Sequence, residues 1–463
     1  MADEKPPDRS RAPPRLPWDR ALLRLGATRQ ETVWWNSSWV IGIATFAAIA
    51  VLAAPRFPLF DLDNQHYIAM ALGHRSQVIE PFIQRNLAPA LAGVLMRLPA
   101  VDVMSAFALI GILSLAGWIS TVVGINRASA CWPGFLSLTV LVTPTVLHAL
   151  ETTALPDMLS MAGVGAILWL LRAQRYIAVA VALAIFGLAR ESFLLLSAIA
   201  LAIYAVRREV RPALLILAGS AIGFAVNHHL SAGSANFYAI PQLEYLAFKV
   251  PARFVINVLG IGIWTDVYKL CAAPFVTIDV PVWSHLGNIH RFGFCAPNLE
   301  IPLITAAVLA SKFGVLPAIL AGLLAGRARP IVASAESWWL LAFWFGAAMT
   351  VLGILTGGSV DRLLGYGWPL FLVALPALCT TAPDWPPGIR ARLLALNLLV
   401  AWPAYDTRFD VRALWKPLHG GWIHVDTVAL AVSLLLGLAG NFLAYRMVRP
   451  HRATLLPTRA AAP

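Results

Sequence analysis

From Trp34 to Tyr445 the chain alternates long apolar blocks with polar connections, most of them short. A helix needs roughly 20 apolar residues to cross a hydrocarbon core. Blocks approaching or reaching that length fall near 34–54, 102–125, 133–150, 157–171, 176–189, 192–206, 213–230, 303–325, 337–356, 363–381, 393–404 and 427–445. Lipid offers the backbone no hydrogen bonds, so only helices or closed barrels span it. The short alternating segments of a barrel are not seen. The expected fold is therefore all-α, a polytopic transmembrane helical bundle of about 12 membrane segments. Segments 157–171, 176–189 and 393–404 are short for a full crossing, which suits tilted, re-entrant or half-spanning helices. Lys312 falls inside the block 303–325. A lysine at mid-membrane is costly, so either that helix starts near Ser311 or Lys312 faces a wet cavity.

The polar remainder sets the domain plan. Residues 1–33 read as a flexible basic cytoplasmic tail, 34–445 as the transmembrane domain, and 446–463 as a cytoplasmic C-terminal tail. No short apolar run with a small-residue cleavage site follows the first tail, so no cleavable signal is expected. The outer loops are unequal: 55–101 and 231–302 are long and 405–426 is moderate. In the first, NQHYIAMALGH and RNLAPALAGVLMRL carry short amphipathic patterns that suit interfacial helices.

Composition agrees with this plan. The 463 residues are 59% hydrophobic and 13% charged, and soluble domains carry about 25% charge. The net charge of +12 does not point to nucleic acid, because the excess sits in short connections. Arg127, Arg172, Arg175, Arg207, Arg208, Arg211, Arg327, Arg329, Arg390, Arg392, Arg446 and Arg449 all fall on the cytoplasmic side once the N-terminal tail is placed inside. The acidic residues gather on the opposite side, among them Asp61, Asp63, Glu80, Glu151, Asp157, Glu191, Glu244, Asp266, Asp279, Glu300 and Asp361. Acidic residues contribute little to topology, so function at the outer face is the expected cause.

The densest polar stretch is 60–89, with Asp61, Asp63, His66, His74, Arg75, Glu80 and Arg85. The Asp61–Asp63 pair precedes a helix-compatible run, so one carboxylate could cap that helix. Alternatively, one is a general base whose pKa partial desolvation raises. A third reading has Asp61, Asp63 and His66 hold Mg²⁺ or Mn²⁺, since hard cations take carboxylates. Arg85, Arg190 and Arg362 each lie at the outer end of a segment, against the positive-inside trend. They read either as structural ion pairs, with Glu191 and Asp361 as the adjacent carboxylates, or as a phosphate clamp. Glu151 and Asp157 bracket ETTALPD, where a capping role for Asp157 is the default. Cys271 and Cys295 share the loop 231–302, and an oxidising compartment would permit a bridge between them.

These motifs resemble the GT-C superfamily of integral membrane glycosyltransferases. The matching residues are Asp63 and Tyr67 in DNQHYIAMA, and Pro81, Phe82, Arg85 and Pro89 in PFIQRNLAP. They continue with Asp157 in LPDMLSMAG, Arg190–Glu191 in GLARES, and Asp361–Arg362 in GGSVDRLLGYGWPL. The resemblance implies a GT-C-like bundle that takes a sugar from a polyprenyl-phosphate donor and passes it to a glycan, lipid or protein acceptor. The transfer is expected to invert the anomeric centre. It further implies the outer face of a bacterial plasma (inner) membrane as the place of reaction. Asp63 would be the base with Asp61 in support, and Tyr67, Arg85, Asp157, Arg190, Glu191, Asp361 and Arg362 would bind substrate or its phosphate. Many members carry an acidic residue straight after that Asp, where this chain has Asn64, which leaves dependence on Mg²⁺ or Mn²⁺ open. Two other classes stay in view: a transporter or flippase of lipid-linked glycan, and a surface polysaccharide polymerase.

Overall fold

The structure is a computed structural model that describes residues 38–53, 63–78, 82–128, 146, 149–150, 154–231, 242–265, 274–279, 290–324, 336–356, 363–372, 387–405 and 427–448. Asp61, Glu80, Pro81, Glu151, Cys271, Asp361 and Arg362 lie outside these residues, as do the tail 1–33 and most of the block 133–150.

The described chain is dominated by helices. They are α1 (Ser38–Ala53), α2 (Asn64–Ala71), α3 (Leu87–Leu95), α4 (Val103–Ala128), α5 (Asp157–Arg172), α6 (Tyr176–Phe186), α7 (Ser192–Val206) and α8 (Val210–Ser231). Then come α9 (Gln242–Leu259), α10 (Glu300–Ser311), α11 (Leu316–Leu324), α12 (Ser337–Thr356), α13 (Trp368–Leu372), α14 (Pro387–Tyr405) and α15 (Thr427–Val448). Among the described residues, 4 helices are long and apolar enough to cross a membrane: Val103–Ile125, Val210–Ser231, Ser337–Leu355 and Leu430–Val448. The short blocks 157–171 and 176–189 form the 16-residue α5 and the 11-residue α6. Two short helices, α2 and α3, form within NQHYIAMALGH and RNLAPALAGVLMRL of the stretch 55–101, where the patterns predict helices.

Two expectations need correction. The block 303–325 is not one helix: α10 and α11 meet at 64° across a break holding Lys312. Gly314, at φ +56°, permits the turn. The backbone groups freed there are taken up by neighbouring helices, which is how membranes tolerate irregular backbone. The Val315 N–H donates to Asn397 Oδ1 of α14 at 2.8 Å. Asn441 Nδ2 of α15 donates to the Ala310 and Gly314 carbonyls at 2.9 and 3.2 Å. Lys312 is 3% exposed at the C-terminus of α10, where helix dipoles favour a cation.

The fold is also not purely helical. Ile263–Thr265 (β1), Val276–Asp279 (β2) and Arg291–Phe294 (β3) form an antiparallel sheet in the order β1-β3-β2. The β-branched and aromatic content of IWT, VTID and RFGF suits a pleated surface. Cys295, one residue past β3, is disulfide-bonded, as an oxidising outer compartment would allow; Cys271, the partner expected from the sequence, is outside the described residues.

Packing sets where the first loop sits. A buried cluster of Tyr67, Ala88, Ala92, Ala106, Phe107 and Leu155 presses α2 and α3 onto the start of α4 and the turn before α5. Between α6 and α8 the approach is backbone to backbone: a Cβ on Gly219 would collide with the Ala180 carbonyl.

Candidate active site

Pro156 precedes α5, so the helix begins with its fixed φ and places Asp157 in the first turn. Asp157 is the acidic residue of that first turn, where the helix dipole favours it. Its carboxylate accepts hydrogen bonds from Arg190 Nη1 and from the Tyr366 hydroxyl. Arg190 Nη1 also donates to the Tyr366 oxygen, and the guanidinium lies over that ring at 4.2 Å from its centroid. Arg190 and Asp157 are both buried, at 6% and 2% side-chain exposure, so their charges compensate each other away from solvent.

A second unit of the same composition lies beside it. Glu191 accepts from Arg85 Nε through both carboxylate oxygens at 3.1 Å, and Arg85 Nη1 donates to the Tyr67 hydroxyl at 2.8 Å. Burial alone would lower the Arg85 pKa, but attraction to Glu191 and Tyr67 and the bonds they share leave it raised. Burial alone would raise that of Glu191, yet Arg85 and Arg190 bring it below the ordinary value. For Tyr67 burial prevails over Arg85 and the hydroxyl stays protonated at neutral pH.

The structure thus joins Tyr67, Arg85, Asp157, Arg190 and Glu191, brought from three separate stretches of sequence. It also corrects their pairing: neighbours Arg190 and Glu191 are not each other's partners. Each arginine is matched by a carboxylate and a tyrosine hydroxyl. The sequence marks Tyr366 only by its position between Gly365 and Gly367, close after Asp361–Arg362.

Asp63 stands at the N-cap of α2, one helical turn before Tyr67, and makes no side-chain cap there. The cap role considered for this position is therefore not what its side chain does. His66, on the same helix, stacks on Phe82 at 4.5 Å with an interplanar angle of 13°. Phe82 also meets the edge of Tyr67 at 5.9 Å and lies under Arg85 at 5.8 Å. Burial lowers the His66 pKa more than the Asp63 charge raises it, which keeps the ring neutral at neutral pH. Among the described residues no three His, Cys, Asp or Glu side chains form a group that could hold a metal ion. Asp61, the third candidate ligand beside Asp63 and His66, lies outside the described residues.

A further polar chain leaves the site towards α8. Arg75 Nη2 donates to Asn86 Oδ1, and Asn86 Nδ2 donates to Asn227 Oδ1 at 2.8 Å. The Leu87 N–H bonds the Leu188 carbonyl at 3.0 Å, pinning the first loop to the turn that carries Arg190 and Glu191.

No family model and no curated protein matches this chain. Among solved structures, it is similar to the crystal structure of ArnT from Cupriavidus metallidurans in the apo state, at 14% identity and a TM-score of 0.43, over 89% of this chain and 77% of that one.

Proposed function

We propose that the chain is an integral membrane glycosyltransferase that moves a sugar from a polyprenyl-phosphate donor to an acceptor at the outer face, with Asp63 as base. One observation carries this reading: Tyr67, one turn after Asp63 on the same short helix, belongs to an arginine–carboxylate–tyrosine unit, and a second such unit joins it through the adjacent residues Arg190 and Glu191. Preorganised donors of this kind cost no rearrangement as charge develops.

In the proposed reaction Asp63 takes the proton of the acceptor hydroxyl. The oxygen then attacks the anomeric carbon as the carbon–oxygen bond to the lipid phosphate breaks. The bonding pair leaves with the phosphate, which gains negative charge. Arg85 bonds Glu191 through Nε and Tyr67 through Nη1, which leaves Nη2 as a donor for that charge. Tyr366 and Asp157 hold Arg190 in place behind it. Asp361 and Arg362, a few residues before Tyr366 in the chain, are proposed to bind substrate as well.

Purified chain in nanodiscs, offered a panel of polyprenyl-phosphate sugars and hydroxyl acceptors, tests the proposal. Sugar transfer that disappears in Asp63→Asn, with folding and donor binding retained, supports it. Full activity in that variant removes Asp63 as base.

A second reading has its own observation. The bend between α10 and α11, with Lys312 buried at the break, is the kind of discontinuous helix that lines transport sites. A transporter or flippase would move a lipid-linked glycan across proteoliposomes with the sugar–phosphate bond intact, whereas the transferase would cleave it.

A further inference from the structure

Of the arginines in the first outer loop and the turn before α7, Arg85 and Arg190 are compensated by carboxylates; among the described residues Arg75 is not. Its guanidinium bonds the neutral Asn86, no carboxylate pairs with it among the described residues, and its Nε is buried with no hydrogen-bond partner. A buried donor left unpaired costs about 1–3 kcal/mol, and more for a charged group. Such an atom in a native protein calls for an explanation, a bound ion or water among them.

The amides around it have a fixed sense. Arginine can only donate, so Asn86 must turn its oxygen towards Arg75 and its nitrogen towards Asn227. Asn227 must then present its own oxygen to Asn86. Both amide oxygens are consumed inside the chain, and what no hydrogen bond among the described residues takes up is donors: Arg75 Nε and Nη1, and Asn227 Nδ2. A half-buried cation whose unused hydrogen-bonding groups are donors is complementary to an anion.

The location narrows the class of anion. Asn227 lies near the C-terminal end of α8, the least buried of the 4 membrane-crossing helices among the described residues. Phe224, Val226 and Leu230 in the last two turns are exposed, and His228 stacks on Phe224 at 6.2 Å. An apolar tail can therefore run along α8 while its head group reaches Arg75.

We propose that Arg75, Asn86 and Asn227 form a docking site for the phosphate of a lipid at the outer membrane surface, separate from the paired arginines. This concerns only where a lipid phosphate docks and stands whether or not a sugar is transferred.

The test is binding of polyprenyl phosphate, phosphatidylglycerol and inorganic phosphate to the purified full chain, read as dissociation constants. Arg75→Gln keeps a bond to Asn86 but removes the charge. It should weaken polyprenyl phosphate by about tenfold or more, as losing a hydrogen bond to a charged group would. Arg75→Lys should fall between. Asn227→Asp, isosteric and hence a safeguard against misfolding, should weaken it too by setting a carboxylate in the chain. Equal losses for both lipids identify a general anionic head-group site, and a loss for polyprenyl phosphate alone identifies the carrier. Inorganic phosphate that competes fully shows that the tail adds little. Unchanged binding of all three probes in Arg75→Gln and Asn227→Asp overturns the inference. Sugar transfer that fails while Arg75-dependent binding persists removes the transferase reading alone.

Discussion

Arg190 and Glu191 are neighbours in the chain that direct their charges to different partners. Arg190 bonds Asp157 and Tyr366, and Glu191 accepts Arg85. Peptide-adjacent side chains at the start of α7 thereby tie α5, the turn around Tyr366 and the stretch that carries α2 and α3 to one point.

Breaking one partner of the inner pair should be severe. Asp157→Asn leaves Arg190 buried without its counter-charge, and such losses run to about 3–5 kcal/mol. Arg190→Gln should cost a similar amount. Together they should cost much less than the sum, because the second change removes the charge that the first left stranded. Thermal unfolding of the two singles and the double in detergent measures this coupling, and additive costs would show that the pair is not a unit.

The unit of Arg85, Glu191 and Tyr67 responds to pH. Glu191 has a folded pKa below its ordinary 4.5, so its pairing contributes stability that is fully present above about pH 4.5. That stability is lost as the pH falls through the folded value. The wild type should therefore lose melting temperature in acid more steeply than Glu191→Gln, which has no carboxylate to protonate. Parallel acid profiles for the two would place the loss elsewhere.

His66 should titrate in a milder range. Its folded pKa lies below the ordinary 6.5, so the unfolded chain binds the proton more readily and stability declines as pH drops from 6.5. Phenylalanine in its place would keep the stack on Phe82 and abolish that slope. NMR titration of the imidazole gives an independent value, and a pKa above 6.5 would contradict the burial argument.

Gly219→Val should separate α8 from α6, since even a Cβ there meets the Ala180 backbone. Overpacking of this kind costs about 1–3 kcal/mol. Gly117→Val is the control, because nothing lies within 4 Å of a Cβ at that position. Equal stability of the two variants would contradict the close approach.

Much of this was legible in the sequence and some was not, for identifiable reasons. Arg85, Asp157, Arg190 and Glu191 were conspicuous because ionisable groups between apolar blocks stand out against the cost of burying them. Which carboxylate served which arginine was hidden, because sequence adjacency suggested Arg190–Glu191 while the fold chose contacts 33 and 106 residues apart. Tyr366 and Asn227 carry no charge and sit in apolar runs, so only the packing reveals them. The break at Lys312 showed as a misplaced charge; its staples, Asn397 and Asn441, lie on helices that nothing in the local pattern connects to it.

Those staples bear on biosynthesis. A chain emerging from the ribosome presents the α10–α11 bend to the bilayer before α14 and α15 exist. Until they arrive, the Val315 N–H and the Ala310 and Gly314 carbonyls lack the asparagines that satisfy them in the finished protein. Unpaired backbone groups in hydrocarbon cost several kcal/mol each, so the bend can settle only after the last two helices insert. A chain ending before Pro387 would hold that region as a straighter helix or leave it outside the bilayer, and quality control would meet a different protein.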